Sequence, residues 1–415
     1  MESFLTLEAA WEETMSRTAA LGTEEVELMD AYGRFLGKKV TARLPFPAFD
    51  RSALDGYAVR AADLKDAPVT LRVLEEVGAG QVPTQVVGTG QATRIMTGAP
   101  IPVGADAIVR LEVTERVDGS HEAQTVPHVR ILLTVAAGEA ISRQGEDTPA
   151  GALLLEAGCQ IGGAELAVLG ANGVDRVTVY RRPRVGVIVS GAEVRPAGQS
   201  LEAGQVYDSN GPMLAGLIRE QGGHPILYGQ VGDDLEATAR LVKKAAASCD
   251  LLLTTGGVSV GDYDLMRDAY VQAGGELLFW KVSMRPGTPV TYARVGATPV
   301  FGLSGNPAAA FINFVLLVQP VLRKLAGHAQ PEHRPVKAML DSQIDARVIG
   351  LDRFLRVNLI MQEAVLTAVL PTHSQKAGIL TTLPHTDALL RIPGGTSVQH
   401  GQLVDVYPLQ RGVHT

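Results

Sequence analysis

Residues 185–325 alternate short apolar, β-branched runs with stretches of helical period, and one run opens directly into glycines: 250–264 reads DLLLTTGGVSVGDYD. The runs at 185–190, 225–230, 251–255, 276–282 and 298–303 predict strands, and 211–221, 235–247, 265–273 and 307–325 predict helices. Strands that alternate with helices imply a doubly wound parallel sheet with helices on both faces. Pro307 suits the first turn of the last helix, where its missing N–H costs nothing.

The same stretch carries chemistry. Glycines after a buried strand let backbone N–H groups approach a phosphate, and the helix that follows adds partial positive charge. Gly256, Gly257, Ser259 and Gly261 fit that role. The carboxylates Asp262 and Asp264 do not suit a bare anion site, and acidic groups beside phosphate imply Mg²⁺ between them. The stretch therefore points to metal-assisted chemistry on a phosphate-bearing substrate.

A chain of 415 residues should hold several domains. A net charge of -7 without a Lys/Arg block argues against nucleic acid or a membrane surface as partner. Two distant cysteines, Cys159 and Cys249, exclude a disulfide scaffold and fit a reducing cytoplasm. The acidic, amphipathic start is not a secretory signal. The longest apolar run, 311–322, is interrupted by Asn313, Gln319 and Pro320 and reads as a core helix too short and too polar to span a bilayer. No histidine pair has the spacing of a zinc site, and neither a GxSxG elbow nor a Walker A lysine loop occurs.

Four regions are expected. Residues 1–41 and 143–180 form an N-terminal and linking segment, with helical periodicity over 3–20 and near 164–171. Residues 42–142, short β-like runs punctuated by proline and glycine, form a β-rich inserted module. Residues 181–328 form the α/β domain, and 329–415 a small β-barrel or sandwich.

Three glycine-bearing loops follow strands of the α/β unit: Ser190-Gly191-Ala192-Glu193, the loop at 256–261, and Ser304-Gly305-Asn306-Pro307. In an open parallel sheet such loops gather at the carboxyl edge, where ligands bind. Asp208, Ser209 and Asn210 precede a helix and serve either as caps or as ligand contacts. Asp233 and Asp234 carry the same ambiguity between capping and metal binding. Lys281 and Arg285, in KVSMRPGTPV, either neutralise an anion or are surface cations. In the β-rich module, the turn FDRSALDGYA holds Asp50 and Asp55, Thr97 lies in RIMTGAP, and Asp147 closes the polar loop RQGED.

Together FDRSALDGYAVR, RIMTGAPIPVGADAIV, RQGED, TTGGVSVGDYD, KVSMRPGTP and LSGNPAAAF resemble the molybdopterin molybdenumtransferase (MoeA-type) family, which is similar to the E domain of gephyrin. The resemblance spans nearly the whole chain, with the motifs in order. It implies an elongated segment carrying a β-rich inserted module, a doubly wound α/β domain and a C-terminal β-barrel. It also implies a cytoplasmic homodimer whose site forms between the α/β domain of one subunit and the β-rich module of the other. The implied reaction inserts molybdenum from molybdate into adenylylated molybdopterin, with Mg²⁺-dependent release of AMP. A molybdopterin adenylyltransferase and molybdoenzyme targets are then the implied partners.

By the same resemblance, Asp55, Thr97, Asp147, Glu193 and Asp264 are catalytic positions, and Asp233, Asp234 and Asp264 hold or approach Mg²⁺. Ser190, Gly191, Asp208, Gly256, Gly257, Ser259, Gly261, Ser304, Gly305 and Asn306 would contact substrate, with Lys281 and Arg285 on molybdate or the terminal phosphate. The chain departs from the family pattern at Ala192, usually aspartate, at Arg285 and Thr288, often lysine, and at Ser304, usually proline. Arg285 keeps the charge but offers a fork instead of a point charge, and Thr288 loses a cation. Three rival readings remain: a tungsten-inserting paralogue, a non-catalytic molybdopterin carrier, and the preceding adenylyl transfer. The β-rich module and barrel fit the last poorly.

Overall fold

The computed structural model describes residues 4–117, 127–232, 234–257, 265–346, 350–372 and 375–409. Four of the candidate residues, Asp233, Ser259, Gly261 and Asp264, lie outside the described residues, as does Asp262.

The chain begins with a helix at Leu7–Ser16, capped where Thr6 accepts the Ala9 N–H at 3.1 Å. Its Leu7 and Ala10 are buried, and Trp11 donates its indole N–H to the Leu316 carbonyl. A strand, Thr23–Glu27, and a 3₁₀ turn, Leu28–Ala31, follow. That strand pairs antiparallel with Arg176–Tyr180 more than a hundred residues later. The β-rich module lies between these two partners, so the chain leaves the N-terminal segment, builds the module, and returns. Within the module, Ala107–Arg110, Gly56–Val59, Gln91–Ile95, Val69–Val77, His128–Ile131 and Thr114–Val117 form one sheet in that order.

The α/β unit is built on a six-stranded sheet in the order His224–Val231, Arg184–Ser190, Leu251–Thr255, Thr298–Leu303, Pro289–Val295, Gly275–Lys281. Pairing across the first four is parallel. The last two joins are antiparallel, through Pro289–Val295. The expected parallel sheet thus forms the core, with two antiparallel strands added at one edge. The strand Pro289–Val295, not among the runs expected as strands, runs on from the KVSMRPGTPV segment, and its Val290, Tyr292 and Ala293 are fully buried. The central strands have no exposed face: every residue of Leu251–Thr255 is buried. Helices Asn210–Glu220, Leu235–Ala246 and Leu265–Gln272 pack on the sheet.

The last helix of this unit departs from one regular α-helix. It runs Pro307–Asn313, widens to a π turn at Phe314–Val318, and resumes at Gln319–Leu325. Taken as one run it is long and apolar enough to cross a membrane by length and composition, which revises the shorter estimate from sequence. It is instead the core of the molecule: Phe314, Leu316, Leu317, Val318, Val321 and Leu322 are all at or below one per cent exposure.

The C-terminal region closes into a barrel. Asp352–Gln362 pairs with Val365–Val369, then Val336–Leu340, Leu403–Pro408 and Ala388–Ile392 follow, and the last returns to Asp352–Gln362. Closure leaves no edge within the ring. The barrel, not the alternative sandwich, is therefore the observed form. It is tied to the N-terminal helix by Arg391, whose guanidinium meets Glu8 and Asp352.

Candidate active site

At the carboxyl ends of the parallel strands Arg184–Ser190, Leu251–Thr255 and Thr298–Leu303 lies a cleft of about 1080 Å³. Each of the three glycine loops contributes to it: Ser190, Gly191 and Glu193 from the first, Gly256 and Gly257 from the second, and Ser304, Gly305 and Asn306 from the third. Asp208 and Asn210 line it from the start of the helix Asn210–Glu220.

The loops meet closely because glycine permits it. Gly256 has φ +87°, and a β-carbon there would collide with the Ser190 carbonyl oxygen. A β-carbon on Gly305 would stand 3.4 Å from Gly256 Cα, an ordinary contact, so the third loop approaches the second without requiring glycine at 305. The Glu193 side chain folds back over Gly191, where a β-carbon would stand 2.8 Å from both carboxylate oxygens.

Asn210 binds the loops together. Its buried amide donates to Thr255 Oγ1 at 2.6 Å and to the Gly305 carbonyl at 2.9 Å. Thr255 Oγ1 in turn donates to the Ser304 carbonyl at 3.0 Å. Sequence alone offered Asn210 as a cap or a ligand contact, and the structure gives it a third role that its short polar side chain did not announce. Asp208 does act as a cap, accepting the Gly211 N–H at 2.9 Å, while still facing the cleft. Asp234 likewise caps Leu235–Ala246, accepting the Ala237 N–H at 3.0 Å, and does not line the cleft.

The cleft is acidic. Glu193, Asp208 and Asp268 line it, and no lysine or arginine does so among the described residues. Asp268, in the first turn of Leu265–Gln272, was not singled out from sequence. Lys281 lies elsewhere, with Nζ 3.6 Å from the centre of the Trp280 ring. Arg285 is exposed on a short strand, Met284–Arg285, that pairs with the barrel strand Asp352–Gln362. The cleft's potential oxygen donors are carboxylates, hydroxyls and amides, the set that suits a hard cation. No group of three or more His, Cys, Asp or Glu gathers as a metal centre among the described residues.

Gly378 and Leu380 also line the cleft. They come from the C-terminal region, and nothing in their local sequence marks them, because only the tertiary packing of the barrel against the α/β unit brings them there.

A second cluster sits in the β-rich module. Asp55 accepts both the backbone N–H and the hydroxyl of Thr97, each at 2.7 Å, and these bonds hold its carboxyl below the usual aspartate range. Arg143 and the Gln144 N–H both bind Asp50, at 2.6 and 2.8 Å, which ties the FDRSALDGYA turn to the RQGED loop. Asp147 is exposed in that loop, with the Thr148 hydroxyl 3.4 Å from its carboxylate. None of Asp55, Thr97 and Asp147 lines the cleft of its own chain.

Residues 5–173 match the MoeA N-terminal region (domain I and II), 186–324 a probable molybdopterin binding domain, and 347–409 the MoeA C-terminal region (domain IV). Among curated proteins, the chain is 37% identical to the molybdopterin molybdenumtransferase of Bacillus subtilis, over 92% of this chain and 89% of that one. It is 38% identical to that of a Nostoc species, over 94% and 88%. Among solved structures, a molybdopterin biosynthesis MoeA protein from Pyrococcus horikoshii superposes with a TM-score of 0.80 at 30% identity, covering 98% of this chain and 100% of that one.

Proposed function

This chain belongs to the MoeA family, the family of the molybdopterin molybdenumtransferases, and on that premise we propose that it inserts molybdenum from molybdate into adenylylated molybdopterin, with Mg²⁺-dependent release of AMP. The observation that carries this reading is the lining of the cleft. Three glycine loops present close backbone at the carboxyl edge of the sheet, yet the charged side chains among the described residues around them, Glu193, Asp208 and Asp268, are all acidic. A substrate with a pyrophosphate gains little from such a surface unless a cation accompanies it, because like charges repel in a partly desolvated site.

Glu193 and Asp208 would share that cation with Asp233 and Asp264, assigned by family resemblance. Mg²⁺ would supply charge neutralisation of the pyrophosphate and of the departing AMP. The chain's own groups do the rest. Ser190, Gly191, Gly256, Gly257 and the Ser304–Asn306 loop line the space for the phosphates and pterin; since the N–H groups of Gly191, Gly256 and Asn306 are donated to Val231, Leu303 and Ser304, the hydroxyls and the other loop amides make the contacts. Asn210 keeps those loops at a fixed spacing, so that catalysis rests largely on positioning and preorganised charge.

Lys281 and Arg285 do not line the cleft and would act on the approach of molybdate. Asp55, Thr97 and Asp147 would serve the cleft of a second copy in a homodimer, which accounts for a pre-formed Asp55–Thr97 pair exposed on a separate module. Product would pass to molybdoenzyme targets in the cytoplasm, downstream of an adenylyltransferase.

The test is AMP release from adenylylated molybdopterin with Mg²⁺, with and without molybdate, coupled to activation of an apo-molybdoenzyme. Molybdate-dependent release with activation supports the reading. Tight binding without release points to a carrier, and equal use of tungstate in competition removes the molybdenum preference.

A further inference from the structure

Residues 308–318 are buried throughout, and Asn313 is the one polar side chain among them, fully shielded from solvent. Burying an amide is costly unless its bonds are made, so a polar residue in such a run needs a partner. Asn313 has one: its Nδ2 donates to the Gly287 carbonyl at 2.9 Å, while its Oδ1 meets no partner among the described residues. Gly287 seats directly on this amide. It is buried with φ +94°, and a β-carbon there would stand 2.5 Å from Nδ2. The helix widens to its π turn immediately after Asn313, and such turns are frequent at functional sites.

Gly287 belongs to the turn that joins the antiparallel strands Gly275–Lys281 and Pro289–Val295. The turn closes on itself: the Val282 N–H donates to the Thr288 carbonyl at 3.1 Å, and the Thr288 hydroxyl donates to the Met284 carbonyl at 2.5 Å. Arg285, the one cation of residues 282–289, stands exposed on one side of Gly287, and Pro289, in the wall of the cleft, stands on the other. The helix that carries Asn313 itself begins at the cleft, where Asn306 and Pro307 line it. One buried amide therefore ties the turn bearing Arg285 to the helix that starts at the third glycine loop.

We propose that Asn313 is a positioning residue for Arg285, fixing the 282–288 turn so that the guanidinium meets the incoming tetrahedral oxyanion in a set orientation. The proposal rests on the reading that Arg285 acts on the approach of molybdate. Orientation matters here because a guanidinium binds an oxyanion as a planar fork, with two N–H groups aimed at two oxygens, unlike the point charge of an ammonium. Loss of the amide leaves the buried Gly287 carbonyl without its donor and releases the turn, while the glycine loops that face the adenylylated substrate keep their own bonds. The effect should therefore fall on molybdate and not on the second substrate.

The experiment is a double-mutant cycle of wild type, Asn313→Leu, Arg285→Ala and the two combined, in the AMP-release assay, with equilibrium dialysis of molybdate against molybdopterin-loaded enzyme and thermal unfolding alongside. Asn313→Leu should raise both the half-saturating molybdate concentration and the molybdate Kd about tenfold, with KM for adenylylated molybdopterin within a factor of about two. The combined variant should bind molybdate no more weakly than Arg285→Ala alone, because Asn313 acts through Arg285. A purely structural role would leave the molybdate Kd of the folded enzyme unchanged, or make the two losses multiply, and either result would overturn the proposal. Should Asn313→Leu fail to fold, Asn313→Ser decides by the same cycle, since it removes the amide without adding volume. Arg285→Ala with wild-type molybdate affinity would instead strike the reading of Arg285, whereas a weakened Arg285→Ala beside an unaffected Asn313→Leu would overturn the proposal alone, so the two failures are distinct.

Discussion

Asn210 donates its side-chain amide to Thr255 Oγ1 at 2.6 Å, joining the start of one helix to the end of the central strand beneath the cleft. The same amide reaches Gly305, so one residue spans two of the three loops. Asn210→Ala leaves the Gly305 carbonyl without this donor in a buried setting, a loss of about 1–3 kcal/mol. The urea midpoint should fall accordingly, with KM for the adenylylated substrate rising several-fold. An unchanged midpoint and KM would mean that the loops hold their spacing without it.

Gly256 must be glycine for two separate reasons, its left-handed φ of +87° and the Ser190 carbonyl against which a β-carbon would press. Gly256→Ala should therefore destabilise the protein by about 1–3 kcal/mol. It should also reduce molybdopterin binding more than Gly198→Ala does, since Gly198 shares the left-handed φ, at +88°, but has open space around it. Equal effects of the two substitutions would show that backbone strain alone, and not the approach of the two loops, governs position 256.

The Asp55–Thr97 pair should be visible in a titration. Thr97 bonds only the ionised carboxylate well, so the folded pKa of Asp55 lies below its unfolded value of about 3.9. A depressed folded pKa means that the pair's contribution to stability is present above that unfolded value and is lost as pH falls through the folded one. Carbon-detected NMR titration should place Asp55 below ordinary aspartates, and Thr97→Val should move it upward by removing the hydroxyl bond. An unmoved titration in Thr97→Val would leave the backbone N–H as the sole cause.

A shared site makes a definite prediction for mixed subunits. Asp55→Ala and Asp264→Ala homodimers should each be inactive. Co-assembled, they should regain up to one wild-type site's share per mixed dimer, about half of the wild-type dimer's activity, because one of its two clefts carries neither substitution. No recovery, with mixed dimers demonstrated by mass, would confine the site to one chain. Asp264→Asn should fold normally but lose turnover most severely at limiting Mg²⁺; full activity there would remove Asp264 from the metal.

The gathering of the three loops was legible because each follows an uninterrupted apolar run, and parallel strands put such loops at one edge. The closed barrel was legible only as one of two options, since short alternating runs describe a sandwich equally well. The antiparallel strand Pro289–Val295 has a weak sequence signal, because it opens on proline just past the RPG turn and its apolar Val290, Tyr292 and Ala293 are interrupted by Thr291 and Arg294. The helix at 307–325 read correctly as apolar, but its π turn has no local signature. Lys281 was read for its charge, whereas its neighbour Trp280, plain in the sequence, takes up that charge on its ring face. Gly378 and Leu380 could not be found from sequence at all, because their place in the cleft depends on how the barrel docks.

The central claim is that this chain couples release of AMP to insertion of molybdenum. Single-turnover reaction of the enzyme with one equivalent of adenylylated molybdopterin, Mg²⁺ and excess molybdate measures both products at once. The account predicts AMP and active molybdenum cofactor in equal amounts, with AMP release suppressed when molybdate is omitted. AMP released at the same rate without molybdate, or in excess of active cofactor, would contradict it.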